Sequence, residues 1–123
     1  MKPVFEAAVD PQANVVRTRF SGNVTAAHMV GIVAEIEEAL AQVRAGFAIM
    51  TDLSGLDSME LECAPLFSRI MDLCRAKGVA KVVRVIPDPS KDIGLNILSI
   101  THYRSWVQIL TCRTLDEGER GLQ

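Results

Sequence analysis

The architecture of this chain follows from one segment, Phe47-Ala48-Ile49-Met50-Thr51-Asp52-Leu53-Ser54-Gly55-Leu56-Asp57-Ser58. Its first four residues are uncharged on both faces, which is typical of a parallel strand buried between two layers. The following eight residues are mostly polar and include Gly55, so we predict a loop at 51–58. Because open α/β sheets bind ligands and partners at the carboxyl ends of their strands, this loop is the first candidate functional surface.

Helical periodicity flanks this segment on both sides. Apolar residues recur at helical spacing over residues 26–44, with Thr25 in place to cap the amino terminus. A second helical pattern runs from the predicted loop to about Lys77. Pro65 fits only its first turn, and Gly78 gives a stop signal. We therefore predict two amphipathic helices that cover a sheet.

The remaining patterns complete an alternating α/β order. They predict a hairpin of strands at 4–9 and 15–20, a strand at 81–86, a helix capped by Ser90, a strand at 107–112 and a short terminal helix opened by Thr114. The order β-β-α-β-α-β-α-β-α predicts a single α/β domain over residues 1–123. Its sheet is mixed and mainly parallel, with about five strands and four helices.

The chain resembles the SpoIIAA-like branch of the STAS proteins, named for sulfate transporters and anti-sigma factor antagonists. The resemblance rests on this order of elements and on two motifs, Phe20-Ser21-Gly22-Asn23-Val24-Thr25 and Met50-Thr51-Asp52-Leu53-Ser54-Gly55. It implies a SpoIIAA/STAS-like fold and a non-enzymatic domain that binds a protein partner, either a kinase or an anti-sigma-like regulator. In the antagonist branch a serine at the start of the next helix is phosphorylated by the partner kinase. Other members are thought to bind lipidic or other apolar ligands.

The resemblance places an Asp-Ser-Ser-Gly-like run, which contains the phosphorylated serine, about five residues beyond Asp-Leu-Ser-Gly. An alignment without gaps lands on Glu60-Leu61-Glu62-Cys63, which contains no hydroxyl group. An alignment three residues shorter lands on Asp57-Ser58-Met59-Glu60 and makes Ser58 the candidate, where a phosphate beside a helix start would be favourable. Asp57 and Ser58 are also helix-capping residue types, and that interpretation requires no modification.

Asp52 has two interpretations of equal standing. It could contact a ligand or partner at the end of the central strand, or it could hold its own loop by accepting backbone N–H bonds. The candidate residues for partner binding or phosphorylation are Asp52, Ser54, Asp57, Ser58 and Met59. With the following helix they form the contact surface of a non-catalytic regulatory domain, which is the first functional hypothesis.

The second and third predicted helices carry more apolar surface than one seam with a sheet requires. The surplus could be core, a protein interface or the wall of a pocket. The candidate residues for an apolar ligand are Phe67, Ile70, Met71 and Ile97. A carrier or sensor of a small, lipid-like ligand is therefore the alternative function, and a homodimer is the expected assembly.

The overall composition limits the partners. The chain has 123 residues, of which 49% are hydrophobic and 23% charged, as in ordinary soluble domains. Its net charge of −2 leaves no basic excess for a phosphate backbone, so we expect no nucleic-acid partner. We find neither a signal-like amino terminus nor a membrane span and expect a cytoplasmic location.

The cysteines point to no metal or cofactor. Cys63, Cys74 and Cys112 are widely spaced and lie in apolar surroundings, so we expect reduced thiols and no zinc site. His28 and His102 are distant from them in sequence. A Cys–His enzyme, whose residues would meet only in space, is the third hypothesis, and we expect the chain not to be an enzyme.

Overall fold

The computed structural model describes residues 3–88 and 107–123. Five strands are present: β1 (Phe5–Asp10), β2 (Val15–Val24), β3 (Ala48–Met59), β4 (Lys81–Val85) and β5 (Gln108–Cys112). The described residues contain three helices, α1 (Ala26–Leu40), α2 (Ala64–Lys77) and α3 (Leu115–Gly121), and a 3₁₀ helix (Leu61–Cys63) precedes α2. Four helices were predicted, and the one that would begin at Ser90 lies outside the described residues.

The strands form one sheet in the order β1-β2-β3-β4-β5. β1 and β2 are antiparallel, and every later neighbour pair is parallel. The predicted hairpin is confirmed. Its turn is held by the Asp10 carboxylate, which accepts the N–H of Ala13 at 3.1 Å, and by Asn14 in the left-handed conformation at φ 59°. The prediction of a mixed, mainly parallel sheet is also confirmed.

Both predicted helices beside the central strand are present. Thr25 caps α1 by accepting the N–H of His28, and the His28 side chain accepts the N–H of Thr25 in return. α1 ends at Leu40, earlier than the predicted residue 44, because the chain tightens there into i to i−3 hydrogen bonds. Pro65 lies in the first turn of α2, and Gly78 ends that helix at φ 99°.

The two faces of the sheet are covered unequally. α1 and α2 pack on one face and bury the main core, to which Ile49 and Leu53 of β3 contribute. α3 packs on the opposite face over β4 and β5. The second, smaller cluster comprises Met50, Val83 and Val85, with Leu110, Cys112 and Leu122 packed against it. Only α3 among the described helices lies on this face, and its Glu119 reaches Arg17 of β2.

The prediction of a loop at 51–58 is wrong, because β3 continues through Met59 beside an extended β2. Two register shifts explain why the pattern was misleading. β3 holds one extra residue between Asp52 and Gly55, and another between Leu56 and Ser58, relative to β2. Each extra residue is a bulge that reverses which side chains face the core. The inward positions are consequently Leu53, Leu56 and Met59, spaced by three, and the alternation of a regular strand is lost.

Candidate functional site

The carboxyl ends of β2 and β3 and the starts of α1 and α2 meet at one edge of the molecule. The carbonyl of Val24 accepts the N–H of Glu60 at 3.1 Å, which joins the two strand ends. The Glu60 carboxylate then accepts the N–H of Ala26 at 2.9 Å. Because α1 has no acidic residue in its own first turn, Glu60 supplies the negative charge that the positive end of its dipole favours.

Ser58 is exposed at this edge and is the second-last residue of β3. Its hydroxyl donates to the side-chain oxygen of Asn23, 2.6 Å away on β2. The capping interpretation of Ser58 and Asp57 is wrong, because the backbone is still extended there. The 3₁₀ helix begins after Glu60, α2 begins after Cys63, and neither of these cap positions makes a side-chain cap bond.

Five exposed residues at this edge form what we call the helix-start surface. Its members are Asn23, His28, Ser58, Glu60 and Leu61. Leu61 is 89% exposed, although it is a large apolar residue in the first turn after β3. Sequence reasoning did not select Leu61. The signal was available, since Leu61 lies between two glutamates and out of phase with the buried stripe that begins at Cys63.

Asp57 and Met59 flank Ser58 but face different surroundings. Asp57 is exposed and lines a cleft of about 260 Å³ together with Ser21, Gly22 and Gly55. Met59 is partly buried and packs against the main core. Of these two candidates, only Asp57 presents its side chain beside the helix-start surface.

Asp52 and Ser54 form a separate cluster at the first bulge of β3. Asp52 is 2% exposed, and one of its oxygens accepts both the N–H and the hydroxyl of Ser54, at 2.9 and 2.6 Å. Its other oxygen accepts from Arg19 at 3.1 Å. Asp52 therefore holds its own backbone, which is one of its two predicted roles. Six residues of strand put it roughly 15–20 Å from Ser58.

The candidate apolar-ligand residues lie inside the main core. Phe67, Ile70 and Met71 are buried, and the ring of Phe67 packs on Phe20 with centroids 5.3 Å apart. They line a cavity of about 30 Å³, which has room for one water molecule. Ile97 lies outside the described residues. The carrier hypothesis stays a prediction, and the cavity lined by Phe67, Ile70 and Met71 is far smaller than the roughly 300–1,000 Å³ of typical ligand pockets.

Cys63 and Cys112 are poorly suited to nucleophilic chemistry. Burial raises the pKa of the Cys63 thiol, and the nearby Glu60 carboxylate raises it further. Burial likewise raises the pKa of Cys112, with a further contribution from Glu117. Nδ1 of His28 accepts the N–H of Thr25, so that nitrogen is engaged in the capping of α1. These thiols are less ionised near neutral pH than a free cysteine.

Over residues 3–88 and 107–123, no three His, Cys, Asp or Glu side chains are grouped closely enough to hold a metal ion. No helix there combines the length and apolar character needed to cross a membrane.

Solved structures similar to this one share its fold over nearly the whole chain. A protein of the DUF3478 family with a SpoIIAA-like fold, from Shewanella loihica PV-4, matches with a TM-score of 0.72 and 12% identity over 97% of this chain and 94% of that one. The Bacillus cell fate determinant SpoIIAA in its phosphorylated form matches with a TM-score of 0.65 and 18% identity over 97% and 99%. An anti-sigma factor antagonist from Mycobacterium paratuberculosis matches with a TM-score of 0.60 and 18% identity over 96% and 93%.

These matches show that the chain has the SpoIIAA-like α/β fold, as the resemblance implied. No protein-family model matches the sequence, and no curated protein matches it. At such low identities the likeness concerns the arrangement of strands and helices, while function must be argued from the site.

Proposed function

We propose that this protein is a non-catalytic regulatory domain that binds a protein partner through the helix-start surface. The observation that carries the proposal is the 89% exposure of Leu61 at this edge. Around it, Glu60 and Ser58 are each held by a hydrogen bond to another element. In protein interfaces, an apolar side chain surrounded by ordered polar groups is typical of the residues that become buried anchors when the partner binds.

The fold supports a partner of the regulatory class. Two of the similar structures are named as an anti-sigma factor antagonist and as the cell fate determinant SpoIIAA. By analogy, the partner proposed here is a kinase or an anti-sigma-like regulator. This step rests on fold analogy, and the contact residues rest on the geometry of this chain.

Ser58 is the phosphorylation site of this proposal. A phosphate there would add roughly −1.5 to −2 charge beside Asp57 and Glu60, which are already acidic. It would also remove the hydroxyl that donates to Asn23. Like-charge repulsion and the lost hydrogen bond would both change the surface that the partner contacts, so phosphorylation would release the partner.

Two leucine variants test the surface. Tagged wild-type protein, Leu61→Ser and Leu115→Ser are expressed in the source cells, and co-purifying proteins are quantified by mass spectrometry. Leu115 is a matched control because it is also an exposed leucine, at 39%, but lies on α3 against the opposite face of the sheet. We expect a partner that is retained by wild type and Leu115→Ser and lost from Leu61→Ser. A partner set unaffected by Leu61→Ser would overturn the proposed surface.

Variants at Ser58 test the switch. Ser58→Asp is expected to weaken capture of the same partner, and Ser58→Ala is expected to retain it. Thr111→Asp is the control, because Thr111 is an exposed hydroxyl residue on β5, two strands away from β3. Equal capture by Ser58→Asp and wild type, or phosphate found by mass spectrometry on Ser54 alone, would contradict the assignment of Ser58.

A further inference from the structure

β1 lies at an edge of the sheet and pairs with β2 on one side alone among the described strands. The N–H of Ser21 donates to the carbonyl of Val4 at 2.9 Å, so these two residues form a hydrogen-bonded pair of the antiparallel ladder. Such pairs alternate with unbonded ones. The backbone groups of Ala7 and Val9 therefore point away from β2, where a further strand could bond to them.

A groove runs between this free edge and α1. It has a volume of about 170 Å³. Its walls are Ala7 and Val9 of β1 and Glu35, Glu38, Ala39 and Gln42 of α1 or the turn after it. A strand added to a sheet lies roughly 4.8 Å from its neighbour and sends alternate side chains to each face. An extended segment paired with β1 would thus place every second side chain in this groove.

The groove is acidic, because Glu35 and Glu38 line it. Glu6 and Asp10 of β1 lie on the other face of the sheet, beside Arg19 and Arg17 of β2. Within the described residues, no lysine or arginine forms an ion pair with Glu6, Glu35 or Glu38. Two copies of this chain joined edge to edge would bring Glu35 and Glu38 of the two grooves together, and like charges repel. The charge therefore selects against a second copy and in favour of a basic partner.

We infer that the free edge of β1 is a docking site for an extended, basic segment of a protein partner, which adds to the sheet as a sixth strand. Its backbone would bond to Ala7 and Val9, and its Lys or Arg side chains would reach Glu35 and Glu38. This mode of binding takes affinity from main-chain hydrogen bonds and specificity from alternate side chains. The site is separate from the helix-start surface and does not depend on it.

The probe is a seven-residue peptide of alternating Lys and Val with blocked ends. Amide hydrogen exchange of the ¹⁵N-labelled protein is measured by NMR with and without the peptide. We expect exchange of the Ala7 and Val9 amides to slow by about tenfold at saturation, because both become hydrogen-bonded. A control peptide with methyl groups on all its backbone nitrogens keeps the charge and cannot pair, so it should protect neither amide.

Three variants complete the test. Ala7→Pro removes an outward N–H without removing a bond to β2, which an edge strand tolerates, and it should abolish binding. Glu38→Gln should weaken binding about fivefold, whereas Glu37→Gln, an exposed neighbour outside the groove, should not. The comparison of Glu38→Gln with Glu37→Gln still tests the inference if Ala7→Pro disturbs folding. Unchanged exchange at Ala7 and Val9, equal protection by the methylated peptide, or equal effects of the two glutamate variants would overturn the inference.

Discussion

The carboxylate of Asp52 accepts both the backbone N–H and the hydroxyl of Ser54, at 2.9 and 2.6 Å. This relationship explains how β3 passes its first bulge. A bulge leaves a residue unpaired in the ladder, and its N–H needs another acceptor. A buried aspartate two residues earlier provides one, while Arg19 balances its charge at 3.1 Å. The strand can therefore continue to Ser58 and the helix-start surface.

Removal of this carboxylate should destabilise the fold. Asp52→Ala leaves the N–H of Ser54 without its acceptor beside a buried site, and we expect a loss of about 2–3 kcal/mol in the free energy of unfolding. Ser54→Ala removes the hydroxyl alone and should cost about 1 kcal/mol or less. Urea denaturation measures both values. If the two variants were equally stable, Asp52 would not have the backbone role assigned to it.

Gly118 allows α3 to approach the sheet closely. A Cβ at this position would lie 2.7 Å from Cγ2 of Val85 and 3.1 Å from the sulfur of Met50. We expect Gly118→Ala to destabilise the protein by about 1–3 kcal/mol through overpacking. Gly31→Ala in α1 is the matched control, because nothing lies within 4 Å of the added Cβ.

The control should change stability in the opposite direction. Alanine exceeds glycine in helix propensity, so Gly31→Ala is expected to raise the free energy of unfolding by about 0.5–1 kcal/mol. Thermal denaturation of both variants shows whether each one gains or loses stability relative to wild type. A stabilising Gly118→Ala would mean that α3 does not pack on Val85 as described.

The Arg17–Glu119 pair predicts a specific pH dependence. Two hydrogen bonds from the guanidinium, each 2.8 Å long, hold the pKa of Glu119 below its ordinary value of 4.5. The stability that this pair contributes is complete above about pH 4.5 and is lost as the pH falls through the lowered folded pKa. The effect is small, because the side chains are 38% and 41% exposed and solvent screens them.

The measurement is the difference in unfolding free energy between wild type and Glu119→Gln across pH. We expect wild type to be the more stable at neutral pH and the difference to vanish in acid. Glu37→Gln, an exposed residue outside the ion pairs of the described chain, serves as the control. A difference that grew on acidification would contradict the lowered pKa of Glu119.

The raised pKa values of Cys63 and Cys112 predict slow alkylation. Fewer of these thiols are ionised near neutral pH, so iodoacetamide should modify the native protein more slowly than the same protein in urea. The native rate should still be rising above pH 9, the region of an ordinary cysteine pKa. Rapid modification of either thiol at neutral pH would revive the hypothesis of a Cys–His enzyme.

Elements whose start and stop residues are visible in the local sequence were predictable. The hairpin has its turn residues, and α2 has a proline in its first turn and Gly78 at its end. β3 beyond Asp52 was not predictable by alternation, because two bulges change the spacing of its inward residues from two to three. Its pairing with Ser21–Val24 is a tertiary contact that no local pattern reports.

The candidate site was predicted in part. Ser58 and Asp57 were selected because the resemblance and the polar character of the segment both pointed there, and both are exposed. The role of Glu60 was not predicted, because its carboxylate accepts the N–H of Ala26 at the start of α1 from 34 residues away, a contact that depends on the packed fold. The homodimer stays a prediction.

The proposed partner surface is tested most directly by cross-linking from position 61. A photoreactive amino acid is introduced in place of Leu61, and in separate protein in place of Leu115, and the source cells are irradiated. The account predicts one dominant cross-linked protein from position 61, absent from position 115 and diminished when Ser58→Asp is added. No cross-linked protein from position 61, or the same protein from both positions, would contradict it.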